Sequence, residues 1–365
     1  MFIGDISPTV PSPDEFTDYK KFMKHRITNT IEFREIDRTE IDEIIHNLNP
    51  NKSSDMSARI LKLFRGVLSP TLAALFNNCI YGGVFPDILK IARVIPLFKN
   101  GDKNIVSNYR PISLLPVISK IFEKLIHKRL VNFLDAHQVI YRKQFGFRKK
   151  HSTIHALHTA ITQIVQGLSS SKTVVGVFLD FFKALDTVQH SILLDKLEHY
   201  GIRGLMLKFI QNYLTNRKQT VFNGNLYSEL LLVTIGVPQG SVLGPLLFLI
   251  YINDLIYSQC TCVTPNCTSN CLDVASFILF ADDTNLFVEG NSIEEVTCKI
   301  NDILAKIKLY LEANYLHINV GKSKIINFKT PRQNSRDEFD VDIRFGATPL
   351  QKVSCIKFLG VIIDE

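Results

Sequence analysis

The chain has 365 residues, 46% of them hydrophobic and 21% charged, a balance that excludes global disorder and leaves room for a sizeable core. Seven cysteines are too few for a disulfide scaffold of this length, and no secretory leader pattern opens the chain, so a reducing intracellular compartment is expected. The longest apolar run, residues 246–252, falls well short of the ~20 residues a membrane-spanning helix needs.

Residues 1–30 mix Pro, Ser, Asp and Lys without apolar period and read as a flexible lead-in. Ile41, Ile44, Ile45 and Leu48 then fall at helical spacing, with Thr39 placed to cap the helix. A second helix is predicted over 72–81, stopped by Gly82-Gly83. Residues 1–90 are thus a lead-in and a helical extension, and residues 91–365 the main domain. The net charge of +7 decides little by itself, but residues 98–150 hold twelve Lys or Arg against three acids. That excess suits a polyanion, since each neutralised phosphate releases condensed counterions; a solvated helix face is the plainer alternative. Helical patterns recur over 119–134, 153–164, 192–199 and 293–311.

Strands are fewer. Thr173–Leu179 is an unbroken apolar and β-branched run ending on Asp180. Residues 277–280 form another, followed by Ala281-Asp282-Asp283-Thr284 and a further apolar stretch at 286–288, which reads as a hairpin with two acids at its turn. Strands and helices alternate irregularly, so the fold class is α+β. No internal repeat or low-complexity tract is present.

An Asp-Asp pair is often only a turn or a helix start. Two carboxylates ~4 Å apart repel by about 4 kcal/mol at an effective dielectric near 20, and a third at the end of a neighbouring strand adds to that. Divalent cations relieve the repulsion. Oxygen-only ligation suits Mg²⁺, which takes one or two carboxylates and fills its shell with water and phosphate oxygens. Two such ions can serve an in-line phosphoryl displacement, which needs little beyond positioning and charge neutralisation.

Residues 276–284, Ser-Phe-Ile-Leu-Phe-Ala-Asp-Asp-Thr, resemble the Phe/Tyr-x-Asp-Asp box of reverse transcriptases, and 177–188 the motif with that family's first catalytic aspartate. Gly236-Val-Pro-Gln-Gly-Ser-Val-Leu-Gly-Pro245 between them is close to the signature of jockey-like non-LTR retrotransposons. Val94–Lys99, Asn108–Leu115 and Gln144–Thr153 upstream, and Leu316–Lys324 and Ile356–Val361 downstream, match further family segments in order. The resemblance covers roughly residues 91–364. It implies a right-hand polymerase with fingers and palm, an antiparallel palm sheet backed by helices, and a thumb largely missing. It implies RNA-directed DNA synthesis with an RNA template, a DNA primer or target DNA, dNTPs and two Mg²⁺ ions that Mn²⁺ could replace. No membrane partner follows from it, and the nucleus is the expected location.

Residue by residue, Asp180 and Asp282 would bind both metal ions, with Asp283 beside them and the backbone of Phe181 as a further ligand. Lys99 and Arg110 would grip the nucleotide triphosphate. Gln239 and Gly240 would lie along the nucleotide, and Lys322 or Lys324 would face the leaving pyrophosphate. Phe358, Leu359 and Gly360 would support the primer end. Gly146, Phe147 and Arg148 open the stretch that would touch the template. Plainer roles stay open for Arg110 (an ion pair), Lys322 and Lys324 (solvated lysines) and Phe358 (core). Three departures from the family pattern stand out. Leu185 occupies the place of the aromatic that blocks a ribose 2′-hydroxyl, Phe182 is bulkier than usual, and the stretch from Asn51 to Ser57 lacks the family's glycines. A decayed copy that only binds nucleic acid, and an RNA-directed RNA polymerase, are the alternatives these allow. Cys260, Cys262, Cys267 and Cys271 could hold zinc, at a spacing unlike the usual ribbons.

Overall fold

The computed structural model describes residues 18–50, 56–224, 226–259, 274–329 and 342–365. In chain order, α1 (Arg38–His46), α2 (Ala58–Leu63) and α3 (Arg65–Gly82) precede β1 (Ile91–Phe98), β2 (Tyr109–Leu114) and α4 (Val117–Ala136). Next come α5 (Thr153–Ser169), β3 (Thr173–Leu179), α6 (His190–His199) and α7 (Gly204–Leu214). Strands β4 (Arg217–Asn223), β5 (Leu226–Tyr227) and β6 (Leu231–Val233) lead to α8 (Leu243–Ile252). The last part holds β7 (Ser276–Phe280), β8 (Asp283–Gly290), α9 (Ile293–Ala313) and β9 (Lys324–Phe328). Five short strands close it: β10 (Arg344–Phe345), β11 (Thr348–Pro349), β12 (Gln351–Lys352), β13 (Cys355–Phe358) and β14 (Val361–Asp364). The fold is α+β, as expected.

The chain forms two compact units, each gathered from separated stretches. The first comprises Arg26–Val139 and Val188–Ile250. Its α1 is capped by Asp37, two residues earlier than the expected Thr39. The Asp37 carboxylate accepts from the Thr39 N–H at 2.7 Å and the Thr39 hydroxyl at 2.6 Å, while Glu40 reaches back to the Asp37 N–H, closing a capping box. Thr39 is therefore a donor to the cap. Helix α3 starts at Arg65, before the predicted 72–81, and carries Pro70 in its second turn at the loss of one backbone donor; it ends on Gly83 at φ 65°. Phe76 stacks on Phe122 of α4 at 4.1 Å, and Phe85 meets Phe122, Phe209 and Tyr213. These rings form an aromatic centre worth several kcal/mol of burial. Beside them lies a sheet ordered β2-β1-β4-β5, with β6 also on β4; β1 and β4 run parallel.

The second unit comprises Ile140–Thr187 and Tyr251–Glu365 with residues 18–25. Its sheet is ordered β12-β9-β3-β8-β7, antiparallel except for β12 against β9. Six of the seven residues of β3 are buried. A strand covered on both faces cannot alternate, which is why it reads as an unbroken apolar run. Ala156, Ala160 and Ile164 of α5 join Val174, Phe178, Ile278, Phe287 and Phe328 of the sheet in one core. Residues 18–30 are no flexible lead-in. Asp18 caps a short 3-10 helix, Tyr19–Phe22, and the buried Phe22 ring meets Tyr310 of α9 edge-on at 5.2 Å. Further along, in the first unit, Arg203 donates to the Ile27 and Thr28 carbonyls. A single aromatic anchor carried no period that the sequence could display. No described helix is long and apolar enough to cross a membrane.

Candidate active site

Strand β3 ends with Leu179 paired to Thr284 of β8, and Phe280 pairs with Asp283 to close the β7–β8 hairpin. Ala281 and Asp282 are thus the two turn residues, and Ala281 takes the left-handed φ of 58°. One further residue of the same register sets Asp180 across from Asp283. Two groups hold Asp180 there: its N–H donates to Ser323 Oγ at 3.2 Å, and its carbonyl accepts from the Asn319 N–H at 2.7 Å. The next residue, Phe181, is buried and bridges Ile318 through the backbone groups of its neighbours, the Phe182 N–H donating to the His317 carbonyl. In such a pair the central residue's own carbonyl turns away from the partner strand.

The three carboxylates feel one another. Asp283 keeps an exposed face, yet desolvation by the surrounding protein, then the negative charges of Asp282 and Asp180, push its carboxyl up to about 6. The Lys322 ammonium stands 4.0 Å from Asp180 Oδ2, and both side chains are well exposed. A pair of that kind contributes little to stability. Lys324 is engaged elsewhere, donating to Gln351 Oε1 and the Gly321 carbonyl. Among the described residues no three acidic, His or Cys side chains already close round a single point as an ion cage. The donor set nevertheless fits a hard cation: three carboxylates, with the ionisation of Asp283 hindered, suffice for ions that complete their shell with water and phosphate.

Lys99, Arg110, Gln239 and Gly240 belong to the first unit. Arg110 pairs with Leu97 across the β1–β2 ladder, so Lys99 and Arg110 project from one face of that hairpin, both exposed. The Gln239 carbonyl accepts from the Ser113 N–H at 2.8 Å. Gly240 sits at φ 117°, and a Cβ there would lie 2.5 Å from the Ser113 carbonyl oxygen, so only glycine lets this loop lie on β2. The loop runs into α8, whose first amides are all engaged. Val242 and Leu243 donate to Glu123 Oε2 at 2.6 and 3.2 Å, and Gly244 donates to Ser241 Oγ at 2.9 Å.

In the second unit, Leu185 is half-buried in the short turn Ala184–Asp186 that follows β3. Gly146 packs against the carboxylate turn, where a Cβ would come within 2.2 Å of the Ala281 nitrogen. Phe147 is exposed at φ 55°, and Arg148 Nη1 donates to the Tyr141 carbonyl at 3.1 Å. Phe358 is a core residue, its ring 5.6 Å from that of Phe178. Leu359 and Gly360, both at positive φ, form the tight turn between β13 and β14. The zinc expectation at Cys260, Cys262, Cys267 and Cys271 lies outside the described residues. The sequence did not single out Ser323, Asn319, Gln144 or Glu123, each a polar residue whose partner is a backbone group distant in the chain.

A family model described as "Reverse transcriptase (RNA-dependent DNA polymerase)" matches residues 98–363. The chain is 30% identical, over 84% of its own length and 32% of the relative's, to a Drosophila melanogaster protein named RNA-directed DNA polymerase from mobile element jockey. A protein of the same name in Drosophila funebris is 28% identical, over 89% of this chain and 35% of the relative. The Pol polyprotein of the retrotransposable element R1 of Bradysia coprophila is 25% identical over 91% and 32% respectively. The chain thus spans about a third of the length of these curated relatives.

Proposed function

The chain belongs to the reverse transcriptase family, which generally uses divalent metal ions, and from that premise we propose that it is the RNA-directed DNA polymerase of a non-LTR retrotransposon. The reaction is attack of a primer 3′-hydroxyl on the α-phosphate of a deoxynucleoside triphosphate, directed by an RNA template, with pyrophosphate leaving. The observation that carries the reading is the convergence of Asp180, Asp282 and Asp283 at one end of the central sheet, where desolvation and then the neighbouring charges hinder ionisation of Asp283.

Asp180, Asp282, Asp283 and the Phe181 carbonyl would hold two Mg²⁺ ions, or Mn²⁺ in their place. Those ions supply charge neutralisation and activation of the hydroxyl. The protein's own groups position the reactants. Lys99 and Arg110 supply exposed cationic donors for the triphosphate, Arg110 as a planar fork. Gln239 and Gly240 present backbone at close approach to the nucleotide. Lys322 offers a charge for the departing pyrophosphate. Gly146, Phe147 and Arg148 serve the template, and the Leu359-Gly360 turn the primer end. The Phe358 side chain acts through the core beneath that turn. Action at chromosomal DNA places the protein in the nucleus.

Primer extension on an RNA template with dNTPs and Mg²⁺ tests the reading. Extension that stops on chelation and resumes with Mg²⁺ is expected; a folded protein that binds RNA but never extends a primer, with Mg²⁺ or Mn²⁺, would sink it. Leu185 adds a second test, because it fills less space than an aromatic ring. Leu185→Phe is expected to lower ribonucleotide incorporation relative to deoxynucleotide by about tenfold, as a ring in contact with a 2′-hydroxyl excludes it sterically. Identical sugar selection in the two proteins would remove Leu185 from the nucleotide site.

A further inference from the structure

We propose that Gln144 is a positioning residue that clamps the Asp282-bearing turn from outside its own hairpin. Gln144 is 2% exposed, and its side-chain amide spends its bonds on two backbone segments. Oε1 accepts from the Ala281 N–H and from the Gly146 N–H, each at 2.9 Å, and Nε2 donates to the Ala281 carbonyl at 3.3 Å. Both polar groups of Ala281 are therefore bound by a single side chain from a segment far away in sequence. Ala281 needs such support, since a left-handed φ costs a residue with a Cβ about 1 kcal/mol or more unless its surroundings enforce it. The backbone on either side completes the clamp: the Phe145 N–H donates to the Leu279 carbonyl at 2.8 Å, and the Leu279 N–H to the Lys143 carbonyl at 2.9 Å. Gly146 permits it, having no Cβ to strike the Ala281 nitrogen.

A hairpin tip with only its own ladder bonds would let Asp282 and Asp283 splay apart under mutual repulsion. The clamp opposes that, so the two carboxylates keep their spacing from Asp180 whether or not charge is neutralised. The role rests on the proposed polymerase reading only for its kinetic consequence.

The test compares the parent chain with Gln144→Met, which keeps length and burial but has no amide, and with Gln144→Glu, which keeps the acceptor and loses the donor. Amide exchange at Ala281 and Gly146 is expected to quicken about tenfold or more in Gln144→Met, with the melting temperature and exchange elsewhere little changed. Gln144→Glu should retain protection at those two amides. In extension assays Gln144→Met should lower kcat by about 10²-fold while KM for dNTP and affinity for primer–template stay within about twofold, as expected for a misplaced catalytic group. Unchanged exchange at Ala281 and an unchanged kcat in Gln144→Met would overturn the proposal. Should that variant fail to fold, the parent decides: an Ala281 amide exchanging as fast as an unstructured one also overturns it. An inactive parent would defeat the polymerase reading yet leave the exchange result standing.

Discussion

Asp283→Asn is expected to abolish primer extension and, at the same time, to raise the melting temperature of the metal-free protein at neutral pH. The first half follows from removing a charge from the reaction centre, where a lost preorganised group costs at least about 10²-fold in rate. The second half follows from the raised pKa of Asp283. Asp283 ionises at about 6 in the folded protein against an ordinary 3.8, so the folded state holds its proton more tightly than the unfolded one. Ionisation therefore works against folding. The parent loses stability as pH rises from about 4 to about 6, and the deficit is constant above that. Asparagine carries no charge, so the variant escapes the loss. The gain should be roughly 2–4 °C, because solvent screening of a partly exposed group leaves about 1 kcal/mol. Thermal melts in chelator from pH 4 to 8 read it directly: the two curves should meet near pH 4 and separate through pH 6. Adding Mg²⁺ at pH 7.5 should stabilise the parent more than the variant. Parallel curves across the whole range would mean that neither burial nor the neighbouring carboxylates hinder ionisation of Asp283.

Glu123→Ala should cause the largest loss of stability, about 2–4 kcal/mol, read as a lowered urea midpoint for the first unit. Glu123 has no exposed surface, and burial raises its carboxyl above the usual range against the pull of the Val242 and Leu243 amides, Arg217 and Ser119. Its two oxygens serve three donors: the Ser119 hydroxyl at 3.1 Å and the first two amides at the start of α8. Alanine would strand all three donors in a place water cannot reach, and would leave the buried Arg217 without its nearby anion. Because those amides directly follow the Gln239-Gly240 loop, the variant should also raise KM for dNTP more than it lowers kcat. A midpoint within about 0.2 M of the parent's would show that α8 finds another cap, since m-values of about 1–3 kcal/mol per molar would magnify a real loss well beyond that.

The carboxylate strand and its hairpin were legible because their pattern is short-range. Thr173–Leu179 is bounded by a basic turn and an acid, and the two apolar stretches around Asp282-Asp283 are joined by a turn that two residues can make. Helix α8 was not legible. An all-apolar decamer has neither helical nor strand period, and only its cap and its buried surroundings decide the matter. Strands β4 to β6 likewise owe their state to distant partners, whereas α7 was overlooked although Met206, Phe209, Ile210, Tyr213 and Leu214 fall at helical spacing. In the site, the three acids were named in advance through the resemblance, whereas the close packing of Gly146 on Ala281 and of Gly240 on Ser113 was not foreseen. Nor were the roles of Gln144, Ser323 and Glu123, since what each does is bond a backbone group 119 or more residues away: Ala281 for Gln144, Asp180 for Ser323 and Val242 for Glu123.

Neither unit is continuous in sequence, and that has a bearing on how the chain is made. A nascent β3 leaves the ribosome before either of its neighbours in the sheet, because β8 and β9 are encoded after the whole of Val188–Ile250. Synthesis at ~5–20 residues per second delays β8 by roughly 5–20 s. For that interval the apolar run ending at Asp180 has no sheet to join and is a natural client for chaperones. A message that stalls within that window would yield a chain with its first acid and most of its first unit, but no partner strand to make either useful.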